Sequence, residues 1–593
     1  MNIIKLKKIS GHAKSGKVTR IYIGVLDSIK KGDKLLDIES KKGNVTIISE
    51  YDTDIVKLLV EVGEVLNIDD GICEVSSPLK ISSGSSAKTP LNTSSKPSTT
   101  KSAPFNYFGK LIKPKEVKKI TLEVDIAILG GGPGGYVAAL HGGLTDKKIV
   151  IIEKNNLGGT CLNEGCIPTK TLVRSAEVFN LVKDFKEFGV TLENPKINLK
   201  DVISRKDRIV EELVGGIDYL LKNRDVTIVK GKGEVLEKNK IIVKENNVET
   251  TIIAQNIILA TGGKVSKLNL PGIDLEGVIT STEALNLCEL PKKLLIVGGG
   301  IIGMEFAFIY ASFGVDVTII EFDKTILNTL DSDVVDVILE SAKLKGIRIV
   351  TKSAVEEIIR GEDSDLIVRV KSAGENRFYS TEKVLVAVGR STSLDGIHHE
   401  KLGIELNARK TGIEVDEYMR TNIDNIYAIG DLTEKFLLAH VASHQGIIAI
   451  DHILGKENPM DYSVVPNVVF TIPEIAVVGL TELELERRNK DALDEEVIEV
   501  NISKFPIAAN GKAQTLGETL GFVKLIENKQ TKQLLGGTVV GIHASDMITE
   551  ISLCIKKGLS SKDIAHTIHA HPTTAESVHE AALGLNGGSL HFE

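Results

Sequence analysis

Cys161 and Cys166 are separated by four residues within Gly158-Gly159-Thr160-Cys161-Leu162-Asn163-Glu164-Gly165-Cys166-Ile167-Pro168-Thr169-Lys170. Two thiols so placed in a stretch marked by Gly and Pro suit thiol–disulfide exchange, a reaction carried by the thiolate. The chain has only five cysteines and the stretch Met1–Arg20 does not resemble a secretory signal, so a framework of structural disulfides is not expected. A disulfide in a reducing compartment is more often catalytic, and Cys161 and Cys166 read as a redox-active pair. Cys73, Cys288 and Cys554 are isolated and read as ordinary thiols. Lys170 follows Cys166 by four residues, so one helical turn would set both on one face.

The pair needs elements that hold it against an electron acceptor. Val124–Leu129 is nearly all apolar, as a buried parallel strand should be. Gly130, Gly132 and Gly135 follow in G-x-G-x-x-G spacing at the start of an expected helix, which would contain Gly142-Gly143. The next strand, Ile149–Ile152, ends in Glu153. A second copy runs from Leu294–Val297 through Gly298, Gly300 and Gly303 to Asp316–Ile320 and Glu321. From first glycine to acid the distance is 23 residues in both copies. Glycines at these places let the backbone approach a pyrophosphate at a helix N-terminus, and the acid accepts from ribose hydroxyls. Glu321 would repel a 2′-phosphate, so the second site is expected to prefer NAD over NADP.

At 593 residues the chain is long enough for three to five domains. A net charge of −8 counts against nucleic acid as a partner, and no run of about eighteen apolar residues predicts a membrane span. The expected compartment is the cytoplasm. Ser, Thr, Pro and Lys dominate residues 76–104, a composition that cannot bury enough apolar surface to fold. Its random-coil reach is on the order of 30 Å. Before it, Ile29-Lys30-Lys31-Gly32-Asp33-Lys34-Leu35 resembles Val60-Glu61-Val62-Gly63-Glu64-Val65-Leu66, which predicts a flattened β-barrel of two similar halves with a lysine at a hairpin tip.

With these pieces joined, residues from about 121 to 593 resemble the pyridine nucleotide–disulfide oxidoreductase family, and within it the dihydrolipoyl-oxidising members. The resemblance rests on Gly130–Gly135, Gly158–Lys170, Ala260-Thr261-Gly262, Gly298–Glu305, Thr421–Asp431, Thr471-Ile472-Pro473-Glu474-Ile475-Ala476 and His569-Ala570-His571-Pro572-Thr573. It implies an α/β fold: two Rossmann-like dinucleotide-binding domains and an α+β dimerisation domain, preceded by a small all-β lipoyl-type barrel on a flexible linker. The expected boundaries are 1–75 for the lipoyl- or biotinyl-like unit and 76–120 for the linker. The FAD-binding domain is expected over 121–265 and 390–465, the NAD-binding domain over 266–389, and the dimerisation domain over 466–593.

The resemblance further implies FAD at the first site, NAD at the second, and oxidation of dihydrolipoyl groups with NAD+ as acceptor in a 2-oxoacid dehydrogenase-type complex. Cys161 becomes the thiol that forms the mixed disulfide, and Cys166 the charge-transfer thiolate nearer the flavin. His571, contributed by the partner subunit of a homodimer, becomes the base, with Glu576 orienting its imidazole. Lys170 lies near flavin N5, paired with Glu305. Asp431 holds ribityl hydroxyls, Gly233 lies near the adenine, and Ala439 and His440 lie near the isoalloxazine. Thr261, Gly262 and Gly389 complete the cofactor segments, and His569 is structural. Ser391-Thr392-Ser393 replaces the family's Pro-Asn after Gly389-Arg390, which predicts a locally altered loop.

Residues 1–75 resemble a lipoyl domain, with Glu39-Ser40-Lys41-Lys42 where such domains usually carry Glu-Thr-Asp-Lys, so Lys42 takes the modified position. A biotinyl domain would flank the lysine with Met, and neither neighbour is Met. The partners expected are therefore the lipoyl domains of an acyltransferase or related complex and the chain's own tethered domain. Glu321 and the lipoyl-like unit count against an NADPH-linked disulfide reductase. A mercuric reductase-like role would bring further C-terminal cysteines, and Cys554 is the last here.

Overall fold

The computed structural model describes residues 2–7, 15–24, 28–40, 43–49, 51, 53–60, 63–75, 117–183, 185–361, 365–490 and 497–593. Lys42 and most of the expected linker lie outside the described residues. The chain divides into two units, Met1–Leu111 and Ile112–Glu593.

In the first unit two antiparallel four-stranded sheets enclose Leu6, Val18, Leu35, Leu36, Ile38, Ile55, Leu66 and Ile72. The weak sequence repeat has a structural counterpart. Gly32 and Gly63 both turn the chain at positive φ, 102° and 99°. Gly32 N–H donates to Ser49 O while Ser49 N–H donates to Asp33 O. Gly63 N–H donates to Val18 O while Val18 N–H donates to Glu64 O, the same exchange in the other half. Strands Lys34–Ser40 and Gly43–Ile48 pair as a hairpin, with Ser40 opposite Gly43.

The second unit begins with a strand longer than the apolar pattern indicates, Lys118–Leu129 rather than Val124–Leu129. Its first half alternates exposed and partly buried residues, and only Ile126–Leu129 is buried. This strand lies between Ile149–Glu153 and Val248–Leu259, parallel to both, and Ile426–Ala428 joins the far side of Val248–Leu259. A second parallel sheet has the order Val278–Ile279, Lys383–Val386, Lys293–Val297, Asp316–Ile320, Arg348–Val350. A five-stranded antiparallel sheet follows from Asn467 onward, with helices Ala544–Lys556 and Glu576–Gly584 packed on it. Among the described residues no helix is long and apolar enough to cross a membrane.

The expected helix after the first glycine motif is Pro133–Gly142, so Gly142 and Gly143 end it instead of interrupting it. A Cβ on Gly142 would stand 2.4 Å from Ile149 Cδ1, and the bare backbone is what lets helix and strand approach. In the second motif, helix Ile301–Ser312 buries Met304, Phe306, Phe308 and Tyr310 on successive faces, as a helix enclosed on all sides must.

Candidate active site

Each glycine motif turns from strand to helix in the same way. Gly130 (φ 117°) and Gly298 (φ 107°) sit where a Cβ would strike the neighbouring strand's end, 2.1 Å from Ala260 O and 2.6 Å from Ala387 O. Gly135 and Gly303 let their helices close on those turns. Gly132 and Gly300 face the cavity, where a Cβ would meet little or nothing of the protein. The matched acids are held alike: Glu153 accepts from Gly131 N–H at 2.7 Å and Asn155 N–H at 2.8 Å. Glu321 accepts from Gly299 N–H and, at 2.7 Å, from Asp323 N–H.

Both motifs open into one cavity of about 1770 Å³, larger than a pocket for a single small ligand. Its wall includes Glu153, Gly233, Thr261, Gly262, Asp431, Ala439 and His440 on one side and Gly389 and Glu321 on the other. The cavity fits anionic dinucleotides. Arg390 also lines it, donating to Thr160 Oγ1 at 3.1 Å and Gly263 O at 2.7 Å, while its Nε is buried with no partner. Burial raises the Asp431 carboxyl above its ordinary range against the pull of Arg390. Gly263–Val265 pairs antiparallel with Arg390–Thr392, and Thr261 Oγ1 donates to Ser393 O at 2.6 Å. The expected altered loop is instead a short strand, Arg390–Thr392, tied with Ser393 to the segment Thr261–Val265.

Cys161 lies on the short helix Gly159–Asn163 and Cys166 opens helix Cys166–Lys183. Both thiols are free and both line the cavity. In this reduced form the hydrogen bond from Cys161 and the Lys170 ammonium outweigh desolvation and hold Cys166 down to about 7. Cys161 is pushed up, first by the same hydrogen bond and then by burial. The two thiols titrate as one hydrogen-bonded pair, with the Cys166 side pulled down and the Cys161 side pushed up.

Lys170 Nζ donates to both oxygens of Glu305, each at 3.0 Å, and lies 4.4 Å from the centroid of the Phe470 ring. Glu305 is 4% exposed and also accepts from Phe470 N–H at 3.0 Å. One buried carboxylate on the second glycine helix thus binds a residue of the cysteine helix and the chain entering the C-terminal sheet. Neither Phe470 nor Arg390 was picked out as a site residue from sequence. Arg390 adjoins Gly389, an expected cofactor residue, and Phe470 adjoins the motif that begins at Thr471, but their contacts span well over a hundred residues.

His571 Nδ1 is 2.9 Å from Glu576 Oε1, and Glu576 also accepts from Thr573 N–H at 2.9 Å. The His571 side chain is 80% exposed, and neither residue lines the cavity in this chain. The structure thus brings together the cysteines, Lys170 and Glu305 and leaves His571 and Glu576 on an outward face.

Residues 124–446 match the family model for pyridine nucleotide-disulphide oxidoreductases, and residues 465–582 match that family's dimerisation domain. The chain belongs to the pyridine nucleotide-disulphide oxidoreductase family. Within it, the chain is similar to dihydrolipoyl dehydrogenases. That of Bacillus subtilis is 39% identical over 484 residues, covering 79% of this chain and 99% of the relative. That of Chlamydia pneumoniae is 40% identical over 475 residues, covering 80% and 99%. Among solved structures, LpdA from Mycobacterium tuberculosis superposes with a TM-score of 0.72 at 27% identity, over 78% of this chain and 99% of that one. The HOCl-induced flavoprotein disulfide reductase RclA from Escherichia coli, as its Cu(II) complex, gives 0.69 at 29% identity, over the same shares.

The second dinucleotide cradle carries a direct test. Glu321→Ala removes the carboxylate that the sequence assigns to the NAD ribose and is expected to raise the KM for NAD+ about 10- to 100-fold, from ~1.5–3 kcal/mol for hydrogen bonds to a charged group. NADP+ should not improve correspondingly, because the substitution supplies no cation. Steady-state KM values for both nucleotides check this, and an unchanged KM for NAD+ would contradict the assignment.

Proposed function

We propose that this chain is a dihydrolipoyl dehydrogenase that oxidises protein-bound dihydrolipoamide with NAD+ as a homodimeric, cytoplasmic component of a 2-oxoacid dehydrogenase-type complex. One observation carries the reading. The Cys161–Cys166 pair, with Lys170 and Glu305 behind it, lies in a cavity continuous with two dinucleotide cradles. A dithiol cannot pass hydride directly to a nicotinamide, and FAD bound at the first cradle supplies the conversion from thiolate electrons to hydride.

The roles we assign follow from position. His571, reaching the site from a second copy, takes the substrate thiol proton at Nε2, since Nδ1 faces Glu576. Glu576 fixes the ring and stabilises its charged form. The substrate thiolate attacks Cys161 Sγ of the oxidised pair, the Cys161–Cys166 bond breaks, and Cys166 leaves as thiolate. The second substrate thiol then displaces Cys161 and closes the lipoyl disulfide, its proton passing to the departing Cys161 sulfur, which leaves as a thiol. Lys170 stabilises the Cys166 thiolate, and Glu305 and Phe470 hold Lys170 in place. Gly130, Gly132, Gly135, Glu153, Gly233, Thr261, Gly262, Asp431 and Ala439 hold FAD; Gly298, Gly300, Gly303, Glu321 and Gly389 hold NAD.

We read the strand-rich first unit as a lipoyl domain with Lys42 as the modified residue. Its tether would keep the lipoyl group at an effective concentration in the mM range when the span is reachable. Lys42→Ala is expected to leave turnover of free dihydrolipoamide within about twofold and to abolish a lipoyl mass increment on the intact chain. Loss of free-substrate turnover in that variant would contradict the carrier role.

A further inference from the structure

We infer that His569 and Glu550 form a positioning pair that aims His571 for proton abstraction, an inference that rests on the reading of His571 as the base. His569 and His571 are two residues apart but differ completely in setting. The His569 side chain is 7% exposed, whereas that of His571 is 80% exposed. His569 Nδ1 is 2.9 Å from Thr567 O, and Nε2 is 3.0 Å from Glu550 Oε1. Glu550 belongs to helix Ala544–Lys556, which packs on the C-terminal sheet. The pair thereby clamps the segment 567–573 to a rigid element on one side of His571. On the other side Glu576, at the first position of helix Glu576–Gly584, holds His571 directly. The His579 ring backs His569 at 4.9 Å between centroids, and its Nε2 lies 3.1 Å from Ala565 O. The clamp is charge-assisted and half-shielded, which makes it stronger than a surface pair. A base delivered to another copy's disulfide from an exposed loop needs such fixing, because misplacement by about 1 Å can cost on the order of 100-fold.

The test uses the dimeric holoenzyme. His569→Phe keeps a ring and loses both donors. It should lower kcat/KM for dihydrolipoamide about 10- to 100-fold while reduction of the bound flavin by NADH, which does not use His571, keeps its rate. Glu550→Ala should lose about tenfold and Glu550→Gln, which still offers an acceptor, less than about threefold. In a His571→Gln background, His569→Phe should cost less than about twofold further, since a residue acting through His571 has nothing left to aim. Full activity in His569→Phe, or an equal loss in the His571→Gln background, would overturn the inference. If His569→Phe loses its flavin, the Glu550 pair decides, and wild-type activity in Glu550→Ala overturns it. Substantial activity in His571→Gln alone would instead remove the reading of His571 on which the inference rests.

Discussion

Cys161→Ser is expected to lower dihydrolipoamide oxidation at least about 1,000-fold while leaving reduction of the bound flavin by NADH within about twofold, the scale of loss seen when a covalent nucleophile is removed. The reasoning is chemical and local. No hydroxyl at position 161 can form the mixed disulfide, so the dithiol half of the reaction has no entry. The nucleotide half, in the reading proposed here, uses the second glycine turn and Glu321, a separate segment of the cavity wall from the one that carries Cys161. The structure also explains why Cys161 rather than Cys166 should carry the exchange. In the reduced pair Cys161 and Lys170 pull the Cys166 thiol down, while Cys161 is pushed up by its hydrogen bond to Cys166 and by burial. The anion next to Lys170 is the better leaving group, and exchange runs toward the lower-pKa sulfur. Stopped-flow measurement of the two half-reactions separates them, and retention of a tenth of the dithiol activity would contradict the assignment.

The largest stability effect is expected far from the chemistry. Lys524 is 1% exposed in strand Phe522–Asn528, and its ammonium lies 2.8 Å from Asp331, 3.0 Å from Asp333 and 2.6 Å from Glu482. Asp331 precedes helix Ser332–Leu344 of the second nucleotide-binding unit, whereas Glu482 and Lys524 belong to the C-terminal unit. Asp331 also accepts from the N–H of Leu483 at 2.9 Å, capping the first turn of helix Glu482–Lys490 across the junction. A net attractive network therefore joins the two units around one buried cation. Lys524→Met would leave three carboxylates facing one another with only Lys504, 3.0 Å from Asp333, as counterion. The expected cost is about 3–5 kcal/mol, the range for removing one partner of a buried ion pair. Urea unfolding followed in the holoenzyme checks it, and a loss under about 1 kcal/mol would contradict the latch. The network also has a pH signature. Burial alone would raise the Asp333 carboxyl, but Lys524 and then Lys504 outweigh it and hold it below the ordinary aspartate value. Its folded pKa is depressed, so this contribution is fully present above about pH 4, the unfolded aspartate range, and lost as pH falls through the folded value.

What was legible in the sequence was local and periodic. The two glycine turns, their strands and the matched acids Glu153 and Glu321 follow from contiguous patterns whose physics is fixed by backbone approach to a phosphate. The Cys161–Lys170 segment was legible for the same reason, and so was the His571–Glu576 pair, whose partners are five residues apart. The weak repeat around Gly32 and Gly63 proved to be two equivalent turns. Sequence missed what depends on meeting across the fold. Lys170 meets Phe470, Lys524 meets Asp331, and Arg390 meets Thr160, each by tertiary packing that no local spacing encodes. No local spacing links His569 to Glu550, nineteen residues away on another helix. The misread glycines had a simpler cause. Propensity says only that Gly142-Gly143 is poor inside a helix, and the close approach of Ile149 decides that the helix ends there.

The central claim is that one relay carries electrons from a dithiol to NAD+. It is tested most directly by mixing the purified flavoprotein with dihydrolipoamide and following NAD+ reduction, with NADP+ in parallel. The account predicts rapid NADH formation that is lost when NADP+ replaces NAD+. No turnover with dihydrolipoamide, in enzyme whose flavin is still bleached by NADH, would contradict it and assign the Cys161–Cys166 pair to another disulfide.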